Sequence, residues 1–531
     1  MLKQRKQLIY QSQFYLCAVI VLYTAAGAVL LPYYRYQINP DGISYISIAD
    51  KYLAGNYYDA INGYWSPLFS WLLIPWLYFK IDPLLAVKIL NLLIGIVAIT
   101  AMYSFTFKYQ VSQQIRCIIL FVLIPVTTYF SYDQITPDLL TAVLLLFYLD
   151  VLFDVQYPLK RYSGALCGII GSITYLSKYY CFLFFLIHFP IMNALHYVRN
   201  PSPVYRKSIL RHLCIGLALF LIISSPWIYA LSHKYNKVLF STAGTVNLAN
   251  LHPNPPHSQL PNFRDTPDSY AYSLWDDPYY DRYNVSWNPF ESLDYMKHWS
   301  RIFIVHVCQT LKIFISFSFF SFLLFAGGII YCAYLLFLKP EKLIAMPEIV
   351  FSLATILLYS AGYCLIHVEE RFFMVVCFLF MILGGYVLNK IFQNHLFKRG
   401  NNAILILFVL SFSILPINHL IKNVNSDKEI YLLGAALKRY VPPHSRIATT
   451  GYWYESLYLT FHLQSTIYGA TEHLQADVAK RELDKYGINY FIDWGVPEDR
   501  PLLLSGFTET GRGTYNDRTV TVYKRKVAES Q

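Results

Sequence analysis

A chain of 531 residues that is 56% hydrophobic, 18% aromatic and only 14% charged carries more apolar surface than a soluble core absorbs, since about a quarter of an ordinary soluble domain is charged. Its formal net charge of +11 does not signal nucleic acid, because Lys and Arg are scattered between hydrophobic runs rather than gathered in a basic stripe. All nine cysteines lie in or beside those runs, where they behave as small core residues and make no disulfide or metal framework.

The amino terminus, MLKQRKQ ahead of an apolar run from Phe14 to Pro32, is too long and lacks the small-residue cleavage site of a signal peptide. It reads as an uncleaved first span with its basic end in the cytoplasm. Next comes INPDGISYISIADKYL, in which Ile43, Ile46, Ala49 and Leu53 share one helical face, the pattern of an amphipathic helix lying at the outer interface. Asp41 opens that helix, either as a carboxylate capping free backbone amides or as a general base held at the membrane surface. The apolar stretch from Ser66 to Phe79 is short and holds Pro75, so it is expected to be re-entrant or interfacial rather than spanning.

Further spans are expected at Leu84–Phe107, Cys117–Phe130, Pro137–Val155, Tyr162–Leu176, Cys181–Val198 and Leu213–Leu231, then at Ile313–Leu338, Glu348–Ile366, Phe372–Ile391 and Ala403–Ile417. With these eleven spans the basic linkers fall inside, Lys390, Lys398 and Arg399 among them, as the positive-inside rule requires. The outer face then carries the segment after the first span, the SYDQITPD and SKYY turns, a long Tyr- and Trp-rich loop, the HVEER turn and the carboxyl-terminal tail. The expected organisation is a transmembrane domain over residues 1–424, with outer loops 33–82 and 232–300, and a small outer α/β domain over residues 425–531. In that last part Ile430, Leu433, Leu437 and Tyr440 are at helical spacing, and short strands RIATT, STIYG, INYFIDW and TVTVYK alternate with helical stretches. No glycine-rich phosphate loop occurs, so nothing supports nucleotide binding.

The outer turns hold the chemistry. Asp138 follows Pro137 at the start of a span, a place the helix dipole favours for an acid and also one where an ionisable group lines a cavity. Lys178 and Arg371 sit at outer span ends, against the positive-inside bias. Snorkelling explains one such case, whereas two near acids read as a clamp for an anionic group, Arg offering a planar fork and Lys a point charge. His252, His257 and His298 of the long loop show no ligand spacing, so no metal is expected. The NVS triplet at Asn284 is short enough to arise by chance.

Taken in order, these residues resemble the GT-C superfamily of membrane glycosyltransferases, which includes protein O-mannosyltransferases and lipid A aminoarabinose transferases. The resemblance covers roughly residues 10–390. It rests on Asp41 soon after the first span, GYWSPLFSW opening a short apolar helix, the TPD turn with Asp138, GIIGSITYLSK ending in Lys178, and EERFF late in the chain. It implies a polytopic α-helical membrane protein with outer juxtamembrane helices, and an inverting transferase that takes a sugar from a polyprenyl-phosphate donor to an acceptor hydroxyl without cofactor. Asp41 would be the base, Lys178 and Arg371 would neutralise the departing lipid phosphate, Asp138 and Glu370 would orient those cations or the sugar, and Tyr64 and Trp65 would offer stacking surface. The acceptor, whether glycan, lipid or protein, stays open. The rival class is a secondary transporter or lipid-linked saccharide flippase, but no internal repeat or midplane charge supports it. No endoplasmic-reticulum retention signal ends the chain, and a bacterial plasma membrane is the expected location.

Overall fold

Backbone amides cannot stay unpaired in lipid, so apolar runs of this length fold as helices, and every expected span but one is a single helix. The computed structural model describes residues 2–253, 263–282, 287–393, 401–495 and 504–526; His257, Asn284, Lys398 and Arg399 lie outside them. Helix α1 (Leu2–Tyr34) leads to α2 (Pro40–Leu53), the single turn α3 (Tyr57–Ala60) and α4 (Pro67–Tyr78). Then follow α5 (Pro83–Lys108), α6 (Gln113–Tyr132), α7 (Asp138–Leu152), α8 (Ser163–Ser177), α9 (Tyr180–Arg199) and α10 (Pro203–Lys234). A long connection holds α11 (Ala243–Asn250) and α12 (Tyr279–Arg282). The bundle is completed by α13 (Leu293–Phe317), α14 (Phe319–Leu338), α15 (Pro340–Ile344), α16 (Pro347–Cys364), α17 (Met374–Gln393) and α18 (Asn401–Lys422).

Among the described residues ten helices are long and apolar enough to cross a membrane, and α7 and α8, at 15 residues each, reach about 22 Å between the same two levels. Helix α4 does not cross. Its first turn is tied to the level of Asp41, where the Tyr179 amide donates to Ser66 Oγ at 2.9 Å. The chain is back at that level directly after α4, because Lys88 near the start of α5 donates to Gln37 Oε1 at 3.3 Å and to the Tyr132 carbonyl at 2.9 Å. The span expected at Ile313–Leu338 is instead two helices that meet at Ser318, whose φ of −169° breaks the helix. Ser318 Oγ lies 2.8 Å from Ser411 Oγ, midway along α18. His306 Nδ1, a few turns earlier on α13, lies 2.9 Å from the Cys364 carbonyl at the site end of α16. The pair is therefore one bent passage, and the described residues make eleven. Because Ser292 caps α13, accepting from the Tyr295 amide at 3.1 Å, the loop expected to reach residue 300 already ends at Ser292.

Two devices close the bundle. Helix α17 is apolar all round and almost wholly buried, as a central helix must be. Helices α8 and α10 touch backbone to backbone: a methyl on Gly164 would lie 2.4 Å from the His212 carbonyl oxygen, and one on Gly168 2.3 Å from that of Gly216. Small residues four apart allow such approach where no hydrophobic effect drives association. Gly168→Leu is expected to destabilise the bundle by about 3 kcal/mol, the upper end of overpacking costs. Gly327→Ala, with no atom within 4 Å of the added carbon, is expected to be neutral, and thermal unfolding in detergent checks both.

Helix α2 is not the half-exposed interfacial helix expected from its periodicity. It is buried on nearly every side, Ser44, Ser47 and Lys51 included, because a strap formed by residues 263–282 lies across it. Lys51, 2% exposed, reaches Asp268 at 2.7 Å and Asp276 at 3.5 Å, while Ser47 Oγ donates to Asp276 and Asn62 Nδ2 to the Asp276 carbonyl at 2.6 Å. Burial lifts the Asp276 carboxyl from 3.8 to about 6 against the pull of Lys51. The folded state thus binds this proton more tightly than the unfolded one, and the contribution of Asp276 to stability falls as pH rises from about 4 through 6. Lys51→Met removes the offsetting charge, and stranding buried carboxylates costs about 3–5 kcal/mol. The loss in unfolding temperature is expected to be larger at about pH 8 than at about pH 5, where Asp276 takes up a proton.

After α18 the chain forms α19 (Lys428–Leu437), β1 (Arg446–Thr449), α20 (Trp453–His462), β2 (Thr466–Ala470), α21 (Ala476–Lys485), β3 (Tyr490–Asp493), β4 (Phe507–Tyr515) and β5 (Arg518–Arg525). The sheet order is β2-β1-β3-β5-β4. β1 pairs in parallel with β2 and β3, and the β4–β5 hairpin adds antiparallel to β3. Asn516 and Asp517 both take positive φ at the hairpin tip, as a two-residue turn of the primed kind needs. The strap runs along the outer edge of β2: the Arg264 amide donates to the Tyr468 carbonyl at 3.0 Å, and the Ile467 amide to the Tyr272 carbonyl at 2.9 Å. This pairing fastens the sheet to the helical bundle.

Candidate active site

Local sequence sets each charged group at a helix boundary. Asn39 precedes α2 in extended conformation without a side-chain capping bond, Pro40 fixes the first turn and Asp41 follows in that turn. Asn39 Oδ1 also accepts from the Ile135 amide at 2.9 Å, and a methyl on Gly42 would lie 2.6 Å from Ile135 Cβ. Glycine here lets the start of α2 dock on the SYDQITPD turn, which delivers Asp138 at the start of α7. Lys178 stands in extended conformation between α8 and α9, and Arg371 lies in a 3-10 turn, Glu370–Phe373, ahead of α17.

These groups meet. Arg371 Nη1 is 2.7 Å from Asp41 Oδ2, and its Nε is 2.6 Å from Glu369 Oε2 and 3.9 Å from Asp138 Oδ2. Lys178 Nζ donates to Asp138 Oδ1 and sits 3.7 Å from the centre of the Phe372 ring, a cation-π distance. Burial raises the Glu369 carboxyl, but the hydrogen bond from His367 and the Arg371 charge outweigh it and hold the group at about 2. The other oxygen of Asp41, Oδ1, accepts from Trp275 Nε1 at 3.1 Å. Trp275 is fixed in turn, since its carbonyl accepts from Trp65 Nε1 at 3.1 Å and from Ser44 Oγ at 3.2 Å. The strap therefore holds an indole donor over Asp41.

All of this lines one cavity of about 1480 Å³. Its floor is ionic. From there one wall continues as apolar side chains of α9 and α16, with Leu183, Ile187, Leu358 and Leu365 among them; Leu183 and Ile187 are half exposed on the flank of the bundle. The roof comes from the strap and from Trp453, Tyr454, Tyr458 and Tyr468 of the C-terminal region.

Of the residues singled out in the sequence, Asp41, Asp138, Lys178, Arg371, Tyr64 and Trp65 all line this cavity. Trp65 is 6% exposed and serves mainly as the seat of Trp275, whereas Tyr64 stands edge-on to both indoles at 4.5 and 5.9 Å. Glu370 does not line the cavity. Glu369 has extended backbone and the next residue enters the 3-10 turn, so the two carboxylates diverge: Glu369 meets Arg371, and Glu370 accepts from Tyr129 OH at 3.1 Å. Trp275 was missed, because nothing local marks a contact made across 234 positions. His298 Nε2 lies 3.1 Å from the Leu251 carbonyl and His252 packs on Trp287; among the described residues no three His, Cys, Asp or Glu are grouped as metal ligands.

No protein-family model matches the sequence, and no curated protein sequence does. Solved structures do match. ArnT from Cupriavidus metallidurans bound to undecaprenyl phosphate aligns over 96% of this chain and 98% of that one, with a TM-score of 0.57 at 13% identity. The Archaeoglobus fulgidus oligosaccharyltransferase in complex with zinc and sulfate aligns over 94% of this chain and 71% of that one, with a TM-score of 0.57 at 11% identity. Oligosaccharyltransferase AglB from the same organism, with an inhibitory peptide and a dolichol-phosphate, gives 0.52 at 12% identity over 91% and 69%. At these identities the likeness is one of architecture: this chain is a polytopic, mostly helical membrane protein that shares the fold of these structures.

Proposed function

We propose that the protein is an inverting glycosyltransferase of a bacterial inner membrane that moves a sugar from a polyprenyl-phosphate donor to an acceptor hydroxyl on the outer face. The observation that carries the reading is a single cavity in which Asp41, Asp138, Lys178 and Arg371 meet at one end and an apolar wall open to the flank of the bundle begins. A lipid phosphate needs both. The cations take the head group, with the fork of Arg371 and the point charge of Lys178, and the α9–α16 wall takes the first isoprene units. The ligands bound in two of the similar structures, undecaprenyl phosphate and a dolichol-phosphate, are of this chemical kind.

In the proposed reaction Asp41 takes the proton of the acceptor hydroxyl as its oxygen attacks the anomeric carbon from the face opposite the phosphate. The new C–O bond forms as the bond from carbon to phosphate oxygen breaks, and charge growing on the leaving phosphate is met by Lys178 and Arg371. Arg371 is paired with Asp41 and Glu369. A donor phosphate that draws Arg371 away would leave Asp41 with its Trp275 hydrogen bond alone and free to accept a proton, so donor binding would arm the base.

Protein purified into nanodiscs is expected to bind undecaprenyl phosphate, and mass spectrometry of its co-purified lipid to find a polyprenyl-phosphate species. A preparation that carries no such lipid and fails to bind undecaprenyl phosphate would contradict the assignment.

A further inference from the structure

We propose that the part of the cavity between α11 and the C-terminal region is an acceptor site for the neutral, hydroxyl-rich body of a saccharide. The proposal rests on the transferase reading and names the class of its second substrate. Helix α11 is anchored by the Thr242 amide, which donates to the Gly63 carbonyl at 2.8 Å, and Val246 and Ala249 bury its inner face. Asn247 and Asn250, one turn apart, are left half-buried on the cavity wall. Among the described residues neither side chain has a hydrogen-bond partner. The same cavity is also lined by the aromatic side chains of Trp453, Tyr454 and Tyr468, with Tyr454 60% exposed. A side-chain amide both donates and accepts, which suits neighbouring sugar hydroxyls, and ring faces suit the C–H face of a pyranose. A few polar groups on an aromatic surface is the usual make-up of a small-molecule site. Tyr458 of α20 lines the same cavity as Asp41, and α20 packs on α2, the helix that carries Asp41.

Charge and backbone argue against other acceptors. Among the described residues the cavity's third cation besides Lys178 and Arg371, Arg264, is matched by Asp281 at 3.0 Å, so a phosphorylated or carboxylated acceptor finds no uncompensated positive charge on them. A peptide could be gripped through its main chain by adding to a sheet edge, but the β2 edge that faces the cavity is already paired with the strap. The apolar wall lies at the ionic end and is claimed by the donor lipid.

The test uses the full chain in nanodiscs, with saturation-transfer NMR of maltotriose, mannotriose and a Ser/Thr-containing nonapeptide. A trisaccharide is expected to bind and the peptide not to. Asn247→Ala/Asn250→Ala is expected to weaken trisaccharide binding about tenfold, the loss of roughly two neutral hydrogen bonds, and Tyr454→Ala to weaken it as well, while affinity for undecaprenyl phosphate stays unchanged. Trisaccharides that do not bind, that bind equally to both variants, or that are outdone by the peptide overturn the proposal even if undecaprenyl phosphate still binds. Saccharide binding by a protein that ignores undecaprenyl phosphate refutes the donor reading instead.

Discussion

Asp41→Asn is expected to lower the rate of sugar transfer about 10²–10⁴-fold, the usual contribution of a positioned base, with no loss of membrane insertion. The substitution keeps the shape of the side chain and an oxygen for Trp275 Nε1, but it removes the charge now paired with Arg371. Undecaprenyl phosphate should therefore bind the variant at least as tightly as the native protein, because Arg371 no longer has to leave a carboxylate. Transfer assayed with a polyprenyl-phosphate sugar, alongside phosphate-lipid affinity, checks both halves. Full turnover by the variant removes Asp41 as the base, and weakened lipid affinity removes the competition for Arg371.

The second large effect is expected at the cations. Lys178→Ala and Arg371→Ala should each weaken undecaprenyl phosphate binding about 10–100-fold, in line with about 1.5–3 kcal/mol for a hydrogen bond to a charged group. Arg371→Lys should recover only part of the loss, since an ammonium lacks the second parallel donor. Lys178→Ala also strands Asp138, 5% exposed, so poor folding could imitate poor binding. Lys178→Ala/Asp138→Asn removes both charges and is expected to regain stability without regaining affinity. A double variant that binds the lipid as the native protein does would take Lys178 out of the clamp.

The fold was legible where a physical limit acts on the sequence alone. Lipid thickness sets the length of each apolar run, and the short Ser66–Phe79 stretch stays on one side as its length requires. What escaped were decisions made between distant segments. The periodicity of Ile43, Ile46 and Ala49 speaks of one apolar face, yet the polar face of α2 is buried too, because Lys51 finds Asp268 and Asp276 more than 200 positions away. Strand β4 was missed since FTETGRGTY has few apolar residues. Its glycines are explained by α19 and the segment after it, where Tyr440 and Leu433 come within 2.4 Å of the positions that side-chain carbons on Gly511 and Gly513 would take. At the candidate site the residue types and their shared end of the bundle were readable. The choice between Glu369 and Glu370 was not, as it depends on one residue's dihedral angles.

The strap along β2 also fixes an order of events during synthesis. Thr466 Oγ1 donates to the Ala271 carbonyl across 195 positions, so at about 5–20 residues per second the ribosome needs roughly 10–40 s to supply the strand that the strap must meet. Throughout that interval the strap that carries Trp275 lacks its pairing with β2. A nascent chain therefore cannot fasten the strap until β2 has emerged, and a premature stop codon ahead of Thr466 is expected to leave a membrane-inserted protein whose strap is unpaired.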